Sequence, residues 1–177
     1  MYVALLRAVN VGGHKVAMAD LRTMVAGLGH GRVRTLLNSG NVLFSATGED
    51  SRQLEEELET ESAKQLRVPT DFMVRSAADW AGVIGHNPFP EEAESDPAHV
   101  VVVCLKAAPQ AAEVDGLQAA ITGRELVRCH GRQLYVTYPD GIGASRLTMP
   151  VIEKRLGTRG TGRNWNTVLK IAQLLSG

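Results

Sequence analysis

The sequence predicts an α+β fold, two ferredoxin-like (βαββαβ) subdomains packed together plus a C-terminal helix. Three observations lead there. The order strand, helix, hairpin, helix, strand reads twice along the 177 residues. Each hairpin carries its own turn signal, Asn38-Ser39-Gly40-Asn41 in the first half and Gly131 in the second. The run Val100-Val101-Val102-Val103 does not alternate, so its strand is expected to be buried on both faces. A lone split βαβ sheet carries helices on one face only. The other face must then be covered by the partner half, the last helix or a second subunit. The duplication is one of topology, because sequence self-similarity between the halves is weak.

The first half opens with an apolar strand at residues 2–6, followed by a glycine-containing loop at 7–16. A helix follows, with Leu21, Met24, Val25 and Leu28 at i, i+3, i+4, i+7 and Gly29 as its stop. Residues 33–37 and 42–45 flank the Asn-Ser-Gly-Asn turn as strands. The second helix starts at Asp50 or Ser51 and turns Leu54, Leu58 and Leu66 inward. Its glutamates are expected to face solvent. Residues 70–75 close the unit as a strand.

A connecting segment follows at 76–97. Ser76 caps a short helix, with Asp79 three residues on, and Asn87-Pro88 ends it. The second half takes residues 98–177, after a first subdomain at 1–75. Its opening strand is 100–105. Pro109 opens a helix through Val114, Leu117 and Ile121. Residues 125–129 and 134–138 form the second hairpin. Thr148, with Pro150 just inside, starts a helix that Gly157 ends. A short strand is expected within 158–163. The last helix carries Trp165, Val168, Leu169, Ala172 and Leu175 on one face.

The formal net charge is zero, with 19 basic and 19 acidic residues. That excludes a basic protein that coats nucleic acid, and a disordered tail. The zero is uneven along the chain. Residues 1–48 hold five basic and one acidic residue, 49–99 hold four and thirteen, and 100–177 hold ten and five. The first apolar run stops at Arg7, short of the roughly 7–15 residues of a signal-peptide core. No stretch approaches the roughly 20 apolar residues of a membrane span. The two cysteines, Cys104 and Cys129, have no metal-ligand spacing. These features suit a cytoplasmic protein with free thiols, monomeric or homodimeric, with no cofactor implied.

Two clusters carry the candidate binding residues. The first strand should end beside the first hairpin, bringing Arg7, Asn10, Gly12, Gly13, His14 and Lys15 to Asn38, Ser39, Gly40 and Asn41. An arginine, a lysine, amides, close-approach glycines and a helix start suit an anion such as a phosphate or carboxylate. Asn38 and Asn41 are equally ordinary hairpin residues, and Gly12-Gly13 can be a plain turn. In the second half, Tyr138-Pro139-Asp140-Gly141 and Ser145-Arg146 should lie near Arg163-Asn164-Trp165-Asn166. There Asn164 can be an N-cap and Trp165 a core residue. No Walker A spacing and no calcium loop occur.

The motifs Arg7-Ala8-Val9-Asn10-Val11-Gly12-Gly13, Ser39-Gly40-Asn41-Val42, Asn87-Pro88-Phe89-Pro90, Tyr138-Pro139-Asp140-Gly141 and Arg163-Asn164-Trp165-Asn166-Thr167-Val168 run in order along the chain. With them the sequence resembles the bacterial domain of unknown function 1697 family. The resemblance implies a two-subdomain α+β fold built on ferredoxin-like units. It implies no activity.

Four functions compete. The leading one is binding of an anionic small molecule or nucleotide through the Gly/Asn/Arg loops. An enzyme acting on a phosphorylated or carboxylated substrate is the second, with His14, Asp20 and Asp140 as the available proton-transfer groups. Nucleic-acid binding is disfavoured. The first sheet offers only Phe44 in its third strand, and Tyr135 and Tyr138 do not recreate the aromatic motif of RNA-recognition domains. An oligomerisation or partner-binding module is the fourth.

Overall fold

The computed structural model describes residues 1–7, 10–11, 14–36, 40–48 and 50–177, with positions 10, 11, 14 and 15 described by their backbone only. It is a mixed α+β protein with two four-stranded antiparallel sheets and, among the described residues, seven α-helices. The chain divides into two compact units, Met1–Ala81 with Ile171–Gly177, and Gly82–Lys170.

In the first unit β1 (Tyr2–Leu6) lies inside a sheet of order β4-β5-β1-β6, with β4 at Gly31–Leu36, β5 at Asn41–Ser45 and β6 at Phe72–Ser76. The helices α1 (Met18–Gly27) and α2 (Ser51–Glu61) supply Leu21, Met24, Val25, Leu54 and Leu58 to one core, against Ala4, Leu6, Val42, Phe44, Phe72 and Val74. Each fully buried side chain of this size contributes about 1.5–3 kcal/mol. Gly29 ends α1 as expected, with φ +89 and its N–H bonded to the Ala26 carbonyl at 3.0 Å. The expected loop 7–16 is partly strand: β2 (Asn10–Val11) pairs with β3 (His14–Lys15), Asn10 opposite Lys15.

The acidic helix α2 corrects a second expectation. Glu55 is only 3% exposed. Its Oε1 accepts the Val74 amide at 2.9 Å, and Glu59 Oε1 accepts the Phe72 amide at 2.9 Å. Two carboxylates one helical turn apart thus meet alternate amides of β6, the strand at the rim of the sheet. Arg75 Nη1 lies 3.5 Å from the same Glu55 oxygen. Asp50 and Gln53 form a capping box at the start of α2, and its end winds into a π-helical turn at Ser62–Leu66.

The second unit has the sheet order β10-β7-β9-β8, with β7 at Val100–Leu105, β8 at Leu126–His130, β9 at Gln133–Thr137 and β10 at Gly160–Asn164. All six residues of β7 are buried, as the unbroken valine run predicts. Helices α5 (Ala111–Ala120) and α6 (Met149–Leu156) give Leu117, Ile152 and Leu156 to a core with Val101, Val103, Leu105, Leu134 and Val136. Gly160 is required by close approach, since a Cβ there would stand 2.9 Å from Leu105 and Val103 side-chain atoms. Glu153 of α6 accepts the Gly160 amide at 3.0 Å, matching the role of Glu55 and Glu59 in the first unit.

Ser76 and Asp79 cap α3 (Ala77–Gly85) reciprocally, at 3.0 and 3.1 Å. Pro90 then sits in the first turn of α4 (Pro90–Ser95), so the connecting segment holds a second helix beyond the expected one. Helix α5 starts at Ala111 behind a Gln110–Glu113 capping box, two residues later than Pro109 suggests. The final helix α7 (Trp165–Ser176) buries Trp165, Val168, Ile171 and Leu175, whereas Leu169 is 40% exposed. The buried stripe therefore runs through Ile171, because a turn of 3.6 residues carries position 169 off the face. Among the described residues no helix is long and apolar enough to cross a membrane.

Candidate functional site

In the first unit, the end of β1 meets two other segments. The Leu6 amide bonds the Gly40 carbonyl at 2.8 Å, and the Arg7 amide bonds the Asp71 carbonyl at 2.9 Å. Gly40 and its neighbour Asn41 thus lie against the end of β1, one residue before Arg7. Arg7 is exposed. Asn41 is 0% exposed, and its Nδ2 donates to the Leu36 carbonyl at 2.9 Å, so the amide braces the hairpin. Gly12, Gly13, Asn38 and Ser39 lie outside the described residues. Asn10 and Lys15 are placed only by their strand pairing. Asp20 lines a separate cavity of about 380 Å³ with Thr23, Gln65 and Val68.

In the second unit, β9 and β10 end at one edge because both run antiparallel to β7. The Tyr138 amide bonds the His99 carbonyl at 2.8 Å, and the Trp165 amide bonds the Pro97 carbonyl at 3.1 Å. Asn164 Oδ1 accepts the Thr167 amide at 3.1 Å and the Thr167 hydroxyl at 2.9 Å, so it is an N-cap. Asn166 is exposed. Arg163 is 8% exposed and its Nη1 donates to Thr161 Oγ1 at 2.7 Å and to the Gly162 carbonyl at 2.8 Å. Burial pushes its guanidinium down to about 10, because a desolvated cation is disfavoured. Asn164, Trp165 and Arg163 therefore brace the chain at this edge.

The same edge holds a pair absent from the sequence reading. His99 Nδ1 lies 2.6 Å from Asp96 Oδ2. The other ring nitrogen, Nε2, looks toward Gly141, where a Cβ would stand 3.8 Å away. Gly141 has φ +87, a conformation that favours glycine.

Arg146 occupies a different place, a cavity of about 230 Å³. The wall is apolar at Leu117, Ala120, Ile121, Leu147 and Val151, and polar at Glu125, Asp140, Ser145 and Arg146. Ser145 Oγ donates to Glu125 Oε1 and accepts the Leu147 amide at 3.0 Å, which fixes the 145–147 turn. A Cβ at Gly123 would collide with the Glu125 carboxylate. Arg124 pairs with Asp140, Nε to Oδ2 at 3.0 Å with a second bond from Nη2 to Oδ1. That hydrogen-bonded cation holds the Asp140 carboxyl below its usual range. The side chain of Arg146 makes no ion pair or hydrogen bond among the described residues. Beside the cavity Tyr138 donates to the Leu147 carbonyl at 3.0 Å, and burial, with the Glu125 charge, pushes its phenol up to about 12.

The model of the family of proteins of unknown function DUF1697 matches residues 1–135. The chain belongs to the DUF1697 family. The DUF1697 match stops within β9, so the Tyr138 and Arg163 motifs lie beyond it. Among solved structures, a conserved bacterial protein from Streptococcus pneumoniae is similar across those motifs as well. It shares 25% identity at a TM-score of 0.77, over 99% of this chain and 98% of that one. No curated protein matches the chain.

For this DUF1697 chain, sequence reading missed Asp96, His99, Arg124 and Glu125. The Asp-x-x-His spacing was the available signal for the first pair. Arg124 and Glu125 follow a helix end and look like ordinary loop charges until the fold brings residues 140–147 against them. Cys104 is buried, and the half-buried Cys129 thiol is pushed up by desolvation, which makes it a poor nucleophile. Among the described residues no group of three or more His, Cys, Asp and Glu could hold a metal ion.

Proposed function

We propose that this DUF1697 protein binds a small anionic molecule in the cavity beside Arg146. The observation that carries the reading is that cavity itself, with an uncommitted guanidinium on its wall. Thr148, the N-cap of α6, makes no side-chain cap bond, and Val151 of the first turn lines the cavity, so the positive end of the helix dipole lies beside it. The volume lies below the roughly 300–1,000 Å³ of sites for drug-sized ligands, which favours a small metabolite over a nucleotide. We read each unit as a ferredoxin-like subdomain, on the strength of its βαββαβ order and sheet order. The anion would bind at one end of the second.

A thermal-shift titration of the full chain with inorganic phosphate, acetate and isovalerate tests the reading. A ligand at a hundred times its Kd stabilises by about 2.7 kcal/mol. Stabilisation by at least one anion, lost in Arg146→Ala, is expected. An unchanged profile in that variant, or no stabilising anion, sinks it.

A second reading is proton transfer at His99. The Asp96 contact fixes Nδ1 as the donor and leaves Nε2 as an acceptor beside Gly141. It is favoured only by that geometry.

A further inference from the structure

We infer that the occupant of the Arg146 cavity is a zwitterion: a small α-amino acid with an aliphatic side chain. The inference rests on the anion-binding reading and narrows it. A site for a carboxylate alone needs only the cation, yet this wall carries an acidic side chain as well. The Arg124–Asp140 pair is internally neutralised, with two hydrogen bonds between its members. What remains on the wall is one cation, Arg146, and one carboxylate, Glu125.

Glu125 is presented, not accidental. Its Oε1 is held by the Ser145 hydroxyl, while Oε2 carries no hydrogen bond among the described residues. Gly123 leaves the space that the carboxylate fills. A glutamate fixed by one oxygen offers the other as an acceptor for an ammonium group. Beside Thr122 and Ser145 the lining has an aliphatic side, with Ala120, Ile121 and Val151 on the wall, and Val151 is 38% exposed. Exposed apolar surface in a concave site favours an apolar ligand group over water. A carboxylate toward Arg146, an ammonium toward Glu125 and a short aliphatic chain on Val151 would satisfy all three parts at once. The volume of about 230 Å³ accommodates an occupant of that size.

The test is calorimetric titration of the full chain with leucine, valine and alanine, against isocaproate, isovalerate and propionate, which lack the amine, and isoamylamine, which lacks the carboxylate. The best amino acid should bind about tenfold or more tighter than its deaminated counterpart, the scale of one charge-assisted hydrogen bond. Glu125→Gln, which keeps an oxygen for Ser145, should erase that preference while leaving carboxylate binding intact. Arg146→Gln should abolish both. Equal binding of amino acid and deaminated acid overturns this inference and leaves the anion reading standing. Isoamylamine binding as well as leucine overturns both, whereas binding of none of these compounds overturns this inference alone, the anion reading then standing or falling on phosphate in the thermal-shift titration.

Discussion

Asp96 Oδ2 and His99 Nδ1 are 2.6 Å apart, and the carbonyl of the same histidine receives the Tyr138 amide from β9 at 2.8 Å. The ring is thus oriented by a carboxylate, and its backbone is tied to the sheet. Both side chains stay partly open to solvent, 42% for His99 and 54% for Asp96. An exposed pair of this kind contributes at most about 1 kcal/mol. Asp96→Asn should therefore unfold within about 1 kcal/mol of the parent in urea. Nitrogen NMR should nevertheless show the His99 ring shift from a single Nδ1–H form to a mixture of tautomers. An unchanged tautomer would mean that Asp96 does not set the ring, and the proton-transfer reading would lose its support.

Glu55 is the buried counterpart. Its Oε1 serves the Val74 amide and lies within reach of Arg75, whose side chain is 1% exposed. Glu55→Ala leaves the buried Val74 amide without its acceptor, so it should cost about 1–3 kcal/mol. Glu55→Gln keeps an acceptor for Val74 and should cost clearly less. Urea denaturation of the two variants checks the order. A loss under about 1 kcal/mol for the alanine would show that the contact is incidental.

The tyrosines set an alkaline limit. Tyr135 donates to the Val83 carbonyl at 2.7 Å, and Tyr138 donates to the Leu147 carbonyl at 3.0 Å. Burial first, then nearby negative charge, pushes both phenols up to about 12, above the ordinary 10. For an acid whose folded pKa is raised, the stabilisation is complete below the unfolded pKa and is lost as pH climbs toward the folded one. Stability should therefore hold to about pH 10 and fall between about pH 10 and 12. Ultraviolet titration should show Tyr135 and Tyr138 ionising late. Tyr135→Phe should remove one late step and cost about 1 kcal/mol for the lost hydrogen bond. Three phenols titrating together near the ordinary value would refute the assignment.

Much of the fold is legible in the residues because local signals and packing agree. The strand at Val100–Leu105 reads correctly because an apolar run has no solvent face to hide. Thr148, Pro150 and Gly157 bound α6 as read, because caps act over a single turn. The failures come from long-range partners. Glu55 and Glu59 look like solvated charges until β6 arrives nineteen and thirteen residues later to use them. Leu169 fits the periodic pattern but falls off the buried stripe once Ile171 takes the inner position. The Arg146 cavity illustrates the same divide. Arg146 was readable as a candidate, whereas Glu125 gains its meaning only from a serine twenty residues away.

The carboxylates of α2 have a consequence for how the protein behaves in a crowded solution. A rim strand with unmet amides recruits foreign strands and seeds aggregates. At β6 two of those amides are already taken by Glu55 and Glu59, and at β10 Glu153 takes Gly160. On the opposite margins Gln118 takes the Val127 amide of β8, while β4 is broken by a register shift between Gly31 and Arg34. Each sheet is thereby sealed against growth by side chains of its own helices or by its own irregularity, and recruitment of a further strand would first have to displace a native bond or straighten a bulge.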